Sequence, residues 1–321
     1  MNNYFAIIVL FIIVSNTTMA HNVKSPSSIK DHRLDKVSKN IYVVHGTQEL
    51  PNPETRGFMN NPAAIITSNG VIIVDPGSSA EIAKQLLDKI KLVSDKPVVA
   101  VFNTHVHGDH WLGNQGIREI YPKIPIYAHK RMIERVKAGD GEDWIKLFMG
   151  MTKGAVSGTK VVGPSIGLKG GEELLIDGMT LKIHHTGHAH TDHDLMIEVL
   201  EDKGLFFGDI VAAKRVPNSD VPHDANFKGT INAIKTMLKR PITIYIPGHG
   251  VSGGRNVPES SLKFLEKLYF LVTKYFNQGL ESFEVKKKVK AEIDEYKDWN
   301  NFVEIDRVIN YIYQEVEREN F

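Results

Sequence analysis

The sequence predicts an α/β protein arranged as a four-layer α/β/β/α sandwich. Three observations carry this expectation. Short β-type runs recur in each half of the chain, helix-spaced apolar patterns follow them, and the strands of interest end in polar clusters. The pattern repeats although no similarity of sequence between the halves is visible.

Order is expected to begin near Ile41, with Ile41-Tyr42-Val43-Val44 as the first strand. Ala63 to Thr67 and Val71 to Val74 follow, separated by Ser68-Asn69-Gly70, a tight hairpin signal that makes the opening antiparallel. Asp75-Pro76-Gly77 stops the strand. Ser78 and Ser79 can then cap a helix whose Ile82, Leu86, Leu87 and Ile90 recur at helical spacing. Pro97 to Phe102 is apolar throughout, as in a strand buried on both faces, and it delivers Asn103-Thr104-His105 at its C-terminal end, where α/β sheets place their chemistry. A strand from Ile124 to Tyr127 and a helix near Arg131 to Lys137 come next. Lys153 to Gly171 is glycine-rich and reads as loop.

The second half brings strands at Leu174–Ile176, Leu181–Ile183, Leu195–Ile197, Leu205–Phe207 and Ile242–Ile246, with a helix from about Gly229 to Leu238. From Glu259 onward the pattern is helical, with Leu262, Leu265, Leu268 and Val272 on one face. Lys286, Lys287, Lys288 and Lys290 lie among Glu284, Glu292 and Asp294, the composition of a solvated helix face.

At 321 residues, one α/β domain with an extension accounts for the length. Residues 5–14 are uninterruptedly apolar and lead into Ser15-Asn16-Thr17-Thr18-Met19-Ala20. Ten apolar residues are short of the roughly 20 that span a bilayer, so 1–20 is expected to be a cleaved secretory signal, with an uncleaved N-terminal anchor as the alternative. Residues 21–38 read as a flexible lead-in, 39–278 as the main domain and 279–321 as a helical C-terminal extension. The expected location is periplasmic or secreted, with no stable membrane span after cleavage. Lysine and arginine number 39 against 38 aspartates and glutamates, so no global field holds nucleic acid, and a small, roughly neutral substrate is expected. The sequence is silent on oligomeric state. Cysteine is absent, which excludes disulfides and thiolate ligands; the 14 histidines and the carboxylates leave a donor set suited to zinc, iron or manganese.

The densest such cluster is Thr104-His105-Val106-His107-Gly108-Asp109-His110-Trp111. In extended chain, alternate side chains point the same way, so His105, His107 and Asp109 can converge, and a turn at Gly108 lets His110 join them. A lone histidine is usually a satisfied core or surface residue. Three with an aspartate, directly after a buried strand, point to a metal. Thr186-Gly187-His188-Ala189-His190-Thr191-Asp192-His193-Asp194, then Phe207-Gly208-Asp209, then Pro247-Gly248-His249-Gly250 supply further donors at strand ends.

This ordered set, H-x-H-x-D-H, A-H-T, G-D and P-G-H-G after a V-D-P-G hairpin, resembles the metallo-β-lactamase-fold superfamily over roughly residues 40–278. The resemblance implies the metallo-β-lactamase type of sandwich and a dinuclear centre, expected to hold two Zn²⁺. His105, His107 and His190 would bind one metal, Asp109, His110 and His249 the other, and Asp209 both. Two divalent ions held there would acidify a water and so supply hydroxide for attack on an acyl carbonyl. Asp109 is the expected catalytic residue, orienting the nucleophile or passing on its proton. His188 competes with His190 as third ligand, and the Ala-His-Thr pattern favours His190. His184, His185 and His193 are expected to face solvent or a neighbouring loop, His129 to be structural, and His223 is weighed evenly as a pocket-border residue. Asp75 is expected to hold the ligand loop by hydrogen bonds, and Lys214 and Arg215 are candidates either for a substrate carboxylate or for plain surface charge.

The pairing of His110 with Asp209 is similar to glyoxalase II sites. The tail Asn310-Tyr311-Ile312-Tyr313-Gln314-Glu315, together with the Ala-His-Thr-acid motif, resembles exported quinoprotein relay system metallohydrolases. The expected function is therefore an exported dinuclear zinc hydrolase cleaving a small ester, thioester or lactam. The alternatives are a β-lactamase proper, an iron oxidoreductase on the same cradle, or a non-catalytic periplasmic metal-binding accessory protein. Diiron relatives replace the second histidine of the run by glutamate, which this chain does not.

Overall fold

The structure, a computed structural model of the chain, describes residues 28–217 and 224–320. The expected signal segment, the first part of the lead-in and His223 lie outside the described residues.

Seven strands form the first sheet in sequential order: β1 (Leu34–Lys36), β2 (Ile41–Val44), β3 (Ala63–Ile66), β4 (Val71–Val74), β5 (Val98–Phe102), β6 (Ile126–His129) and β7 (Ile166–Leu168). Pairing is antiparallel up to β4 and parallel from β4 onward. The switch follows from the connections: Ser68-Asn69-Gly70 makes the β3–β4 hairpin, whereas α1 (Ala80–Ile90) carries the chain from β4 to a parallel β5. The second sheet has the order β12-β11-β10-β9-β8, from β8 (Glu173–Ile176), β9 (Met179–His184), β10 (Met196–Val199), β11 (Gly204–Ala212) and β12 (Ile244–His249).

Alternation within single strands builds the layers. In β4, Ile72 and Val74 enter the core between the sheets, with Ile183, Ile197 and Phe206 from the second sheet. Val71 and Ile73 point the other way, onto Ile82, Leu86 and Ile90 of α1 and Ile117 of α3 (Asn114–Ile120). In β11, Phe206 faces the first sheet, while Leu205 and Phe207 face α6 (Phe227–Met237) and α7 (Asn256–Phe276). A strand with apolar partners on both faces has no polar alternation, which is why these segments read as continuous apolar runs. The order of layers is helix, sheet, sheet, helix, as expected.

Several expectations are corrected. Order does not wait for Ile41: Ile29 is fully buried against the helix-backed face, and Leu34–Lys36 pair with Ile41–Val44. Backbone hydrogen bonds hold this edge strand, and three residues are too few to show an apolar period. The loop expected over residues 153–171 contains β7, again an exposed edge strand with little hydrophobic signal. Helix α4 (Lys130–Arg135) runs through a turn with wider hydrogen bonding at Val136–Asp140 into α5 (Gly141–Met151), an element no sequence signal singled out. The fourth strand of the second sheet runs on past Phe207 to Ala212 through irregular register.

The C-terminal helices α8 (Ser282–Glu292) and α9 (Ile305–Asn320) share the outer core of the second sheet, where Val285, Val289, Ile309 and Ile312 meet Phe264 and Leu268. The Glu315 carboxylate accepts from the backbone N–H groups of Phe227 and Lys228 at 2.8 and 3.0 Å, capping α6 from a distant part of the chain. Among the described residues, no helix is long and apolar enough to cross a membrane.

Candidate metal centre

Strand β5 ends at Phe102 and hands the chain to His105 and His107 in a short non-regular stretch. At Gly108 a single helical turn begins, α2 (Gly108–Trp111), carrying Asp109 and His110. The alternation argument therefore reaches only His105 and His107. The helical turn swings Asp109 away from them, into a second group with His110 and His249. His190 enters from the β9–β10 loop, where Asp194 accepts from Thr191 N–H and Oγ1–H, both at 2.7 Å. Asp209 lies where β11 loses register, and His249 ends β12.

The structure brings all seven expected residues together, in two groups: His105, His107, His190 and Asp209, and beside them Asp109, His110 and His249. The Asp209 carboxylate reaches both. Its Oδ2 lies 3.9 Å from His105 Nε2 and 3.7 Å from His190 Nε2, while Oδ1 is 3.1 Å from His110 Nε2 and Oδ2 is 3.2 Å from His249 Nε2. Gly248 is required for this placement, because a Cβ there would fall 1.9 Å from Asp209 Oδ1.

Hydrogen bonds behind the cluster set the tautomers. His249 Nδ1–H donates to the Met59 carbonyl at 2.9 Å, which turns the Nε2 lone pair into the site. His110 Nδ1–H donates to Asp75 Oδ2 at 2.8 Å. Thr104 Oγ1–H donates to the same carboxylate at 2.7 Å and accepts from His105 Nδ1 at 3.0 Å, so Asp75 orients His105 as well. His107 is turned round: its Nε2 donates to Asp224 at 3.3 Å, leaving Nδ1 facing His190 Nε2 at 3.0 Å. Asp224 is in turn held by Arg135 at 2.8 Å.

The donor set fits divalent cations. Four buried polar atoms of the cluster lack a hydrogen-bond partner, namely His105 Nε2, Asp109 Oδ2, His110 Nε2 and Asp209 Oδ1, and buried polar atoms are ordinarily satisfied. Burial pushes His105 well below the usual histidine range and His190 down to about 3, so both are neutral imidazoles with lone pairs to give. Burial opposes the charge on Asp109 and Asp209 too, but His110 and His249 hold both carboxylates below their ordinary values. For His110, burial lowers the pKa, yet Asp109, Asp209 and Asp75 together raise it well above the usual range. These three carboxylates are negative charge that a divalent cation bound there would offset.

The remaining expectations sort as follows. His188 is exposed and its Nε2 donates to the Asp224 carbonyl at 2.7 Å, outside both groups. His185 Nδ1 donates to the Asp194 carbonyl, and its ring stacks on His129 at 4.5 Å. His184 pairs with Glu198 at 2.7 Å. His193 does not face solvent: it is fully buried, accepts from Val106 N–H at Nε2 and donates from Nδ1 to Asp192. Lys214 is exposed, whereas Arg215 is buried and donates to the Gln48 carbonyl at 2.5 Å. Sequence reasoning missed Arg135 and Trp144, whose ring centroid lies 4.9 Å from that of His107. Both belong to the α4–α5 region, which carries no motif; Asp224 was visible only as a neighbour of His223.

A two-sheet sandwich with histidines and carboxylates gathered at the strand ends is the architecture of a superfamily of metal-dependent hydrolases. The model of the metallo-beta-lactamase superfamily matches residues 55–249, and the chain belongs to that family. A linear primary-alkylsulfatase of Pseudomonas sp. is 26% identical over 213 residues, covering 58% of this chain and 31% of the relative. The metallo-beta-lactamase IND-1 of Chryseobacterium indologenes is 26% identical over 249 residues, covering 75% and 92%. The solved metallo-beta-lactamase from Pontibacter korlensis superposes with a TM-score of 0.58 at 19% identity, over 73% of this chain and 99% of that one. The chain matches about a third to a half of the length of the alkylsulfatase relatives, at 31% and 48%.

Proposed function

We propose that this protein is an exported dinuclear zinc hydrolase that cleaves an ester, thioester or lactam bond in a small substrate. One observation carries the proposal: the Asp209 carboxylate stands between two donor groups, three imidazoles on one side and Asp109, His110 and His249 on the other. His105, His107, His190 and Asp209 would hold one ion, and Asp109, His110, His249 and Asp209 the second. Bound there, two divalent ions lower the pKa of water in the site and polarise the scissile carbonyl.

The residues of the chain do the rest. Asp75, Met59 and Asp224 hold the imidazoles in the tautomers that aim lone pairs inward. Asp109 is ionised, because His110 and His249 outweigh its burial, so it can accept a proton from the attacking water. In the overall step the water oxygen bonds to the acyl carbon, and the C–O, C–S or C–N bond breaks. The bonding pair leaves with the alcohol, thiol or amine, which takes up the proton that Asp109 held.

Export is supported by the apolar residues 5–14 and the small residues that follow them. Cell fractionation with an antibody to the C-terminal helices checks it; retention of the full-length chain in the cytoplasm would refute it. For the activity, the purified protein is assayed on nitrocefin, a thioester and a lactone panel, with and without chelator, beside a metal analysis. Chelator-sensitive turnover with zinc near two per chain is expected. Absence of turnover on every substrate class sinks the hydrolase proposal, and a metal content dominated by iron sinks the zinc assignment.

A further inference from the structure

Helix α5 presents Trp144, Leu147, Phe148 and Met151 at the spacing i, i+3, i+4, i+7, which places them on one face. That face looks onto a cleft that opens over the candidate metal centre. Pro51 and Met59 form further apolar lining. The floor is the metal centre itself, through His107, Asp109, Asp209 and His249. Trp144 lies over His107 at 4.9 Å between ring centroids, and Phe148 is buried behind it. Leu147 is 43% exposed, on a helix that also bears Glu142, Asp143 and Lys146.

The wall is also uncharged. Among the described residues, no lysine or arginine lines the cleft, and the ionisable groups that do sit at the floor, within the metal centre. A carboxylate or sulfate laid along this wall would lose water and gain no partner, which is costly. An alkyl or aryl chain would lose nothing and would bury apolar surface against methionine, leucine and tryptophan, of which the methionines adapt readily to shape.

We propose that the substrate carries an uncharged apolar acyl chain next to its scissile bond, and that this chain lies along the α5 wall of the cleft. The proposal rests on the hydrolase function above and gives that function a substrate class. The wall itself offers no cation to a second, charged group carried by the substrate away from its scissile bond.

The test uses the zinc-loaded protein and S-methyl thioesters from acetyl to octanoyl, read by the thiol released, with the anionic succinyl thioester compared against butyryl. kcat/KM is expected to rise roughly threefold to fourfold per added methylene until the wall is covered, and succinyl is expected to fall below butyryl. A second readout is independent of turnover: alkyl hydroxamates of the same chain lengths are titrated by tryptophan fluorescence. Their Kd is expected to fall along the series, with the signal removed in Trp144→Phe. Leu147→Lys, at a half-exposed position that spares folding, should flatten both series and lift succinyl.

Flat series in both readouts, or a wild-type preference for succinyl, would overturn the substrate assignment while chelator-sensitive acetyl turnover preserved the hydrolase function. Chain-length-dependent hydroxamate binding without chelator-sensitive turnover of any thioester, lactone or nitrocefin would overturn the hydrolase function and preserve the apolar cleft.

Discussion

Asp75 Oδ2 lies 2.8 Å from His110 Nδ1, and the same carboxylate binds Thr104 through both its oxygens, at 2.8 Å to the backbone N–H and 2.7 Å to the hydroxyl. Through Thr104 it also reaches His105. One residue from the end of β4 thus orients an imidazole in each donor group. Asp75 adopts a positive φ of 50°, a strained setting for a residue other than glycine, consistent with a position chosen for its side chain.

Asp75→Asn follows from that relationship. An amide supplies only one accepting oxygen, so at least one of the three donors loses its partner. Metal affinity is expected to fall roughly 10- to 100-fold, as for other residues behind metal ligands. Competition with a chromophoric chelator measures it, and an unchanged affinity with intact circular dichroism would refute the role.

His188→Ala and His190→Ala distinguish the two histidines of one loop. His190 faces Asp209 at 3.7 Å, while His188 only reaches a backbone carbonyl. Metal stoichiometry should fall in His190→Ala and stay near the wild-type value in His188→Ala. His105→Ala, Asp109→Ala and His249→Ala should behave as His190→Ala does; equal losses at His188 would mean the donor groups are wrongly drawn.

Gly248→Ala tests the bridging position. The added Cβ would meet Asp209 Oδ1 at 1.9 Å and displace the carboxylate from between the groups. Metal analysis should show fewer ions per chain than in wild type, with activity lowered at least 10-fold. Full loading and full activity would show that Asp209 tolerates displacement.

The Glu198 cluster gives a pH dependence away from the metal centre. Glu198 is buried and receives Arg240 at 2.6 and 3.1 Å and His184 at 2.7 Å. Burial alone would raise its pKa, but these partners hold it below the ordinary glutamate value. A depressed folded pKa stabilises above the unfolded pKa and loses that contribution as pH falls through the folded one. Glu198→Gln should therefore lower stability by roughly 2 kcal/mol at pH 7, discounted from a fully buried pair because Arg240 is about a third exposed. The difference from wild type should shrink as pH drops below about 4.5. Urea unfolding at pH 7 and pH 4 measures both, and a constant difference across that window would refute the assignment.

Ile309→Ala probes the C-terminal helices. Ile309 is fully buried among core residues that cover the second sheet. A loss of about 2–5 kcal/mol is expected. A loss below 0.5 kcal/mol would mean that α9 is only loosely docked.

Much of the site was legible in the sequence because its ligands fall at strand ends, where apolar runs stop abruptly at histidine or aspartate. Phe102 before Asn103-Thr104-His105, Phe207 before Gly208-Asp209 and Ile246 before Pro247-Gly248-His249 all show this. Both hairpin and helix caps were legible for similar local reasons: Asn69-Gly70 sets a turn, and Ser79 accepts from Ile82 N–H as a cap. The α5 wall was not legible, since Trp144, Leu147 and Met151 form an ordinary amphipathic stripe whose function depends on what lies opposite.

By itself the sequence determined the layered α/β class, the seven donors and their chemical type, since apolar period and residue identity are local properties. The division of the donors is the one the family resemblance implied, and the tertiary structure supplies its physical cause. Asp109 leaves His105 and His107 for His110 and His249 because a helical turn begins at Gly108, and His107 turns its Nδ1 inward because Asp224, 117 residues away, takes its Nε2–H. These outcomes depend on contacts between segments far apart in the chain, and no window of sequence contains both partners.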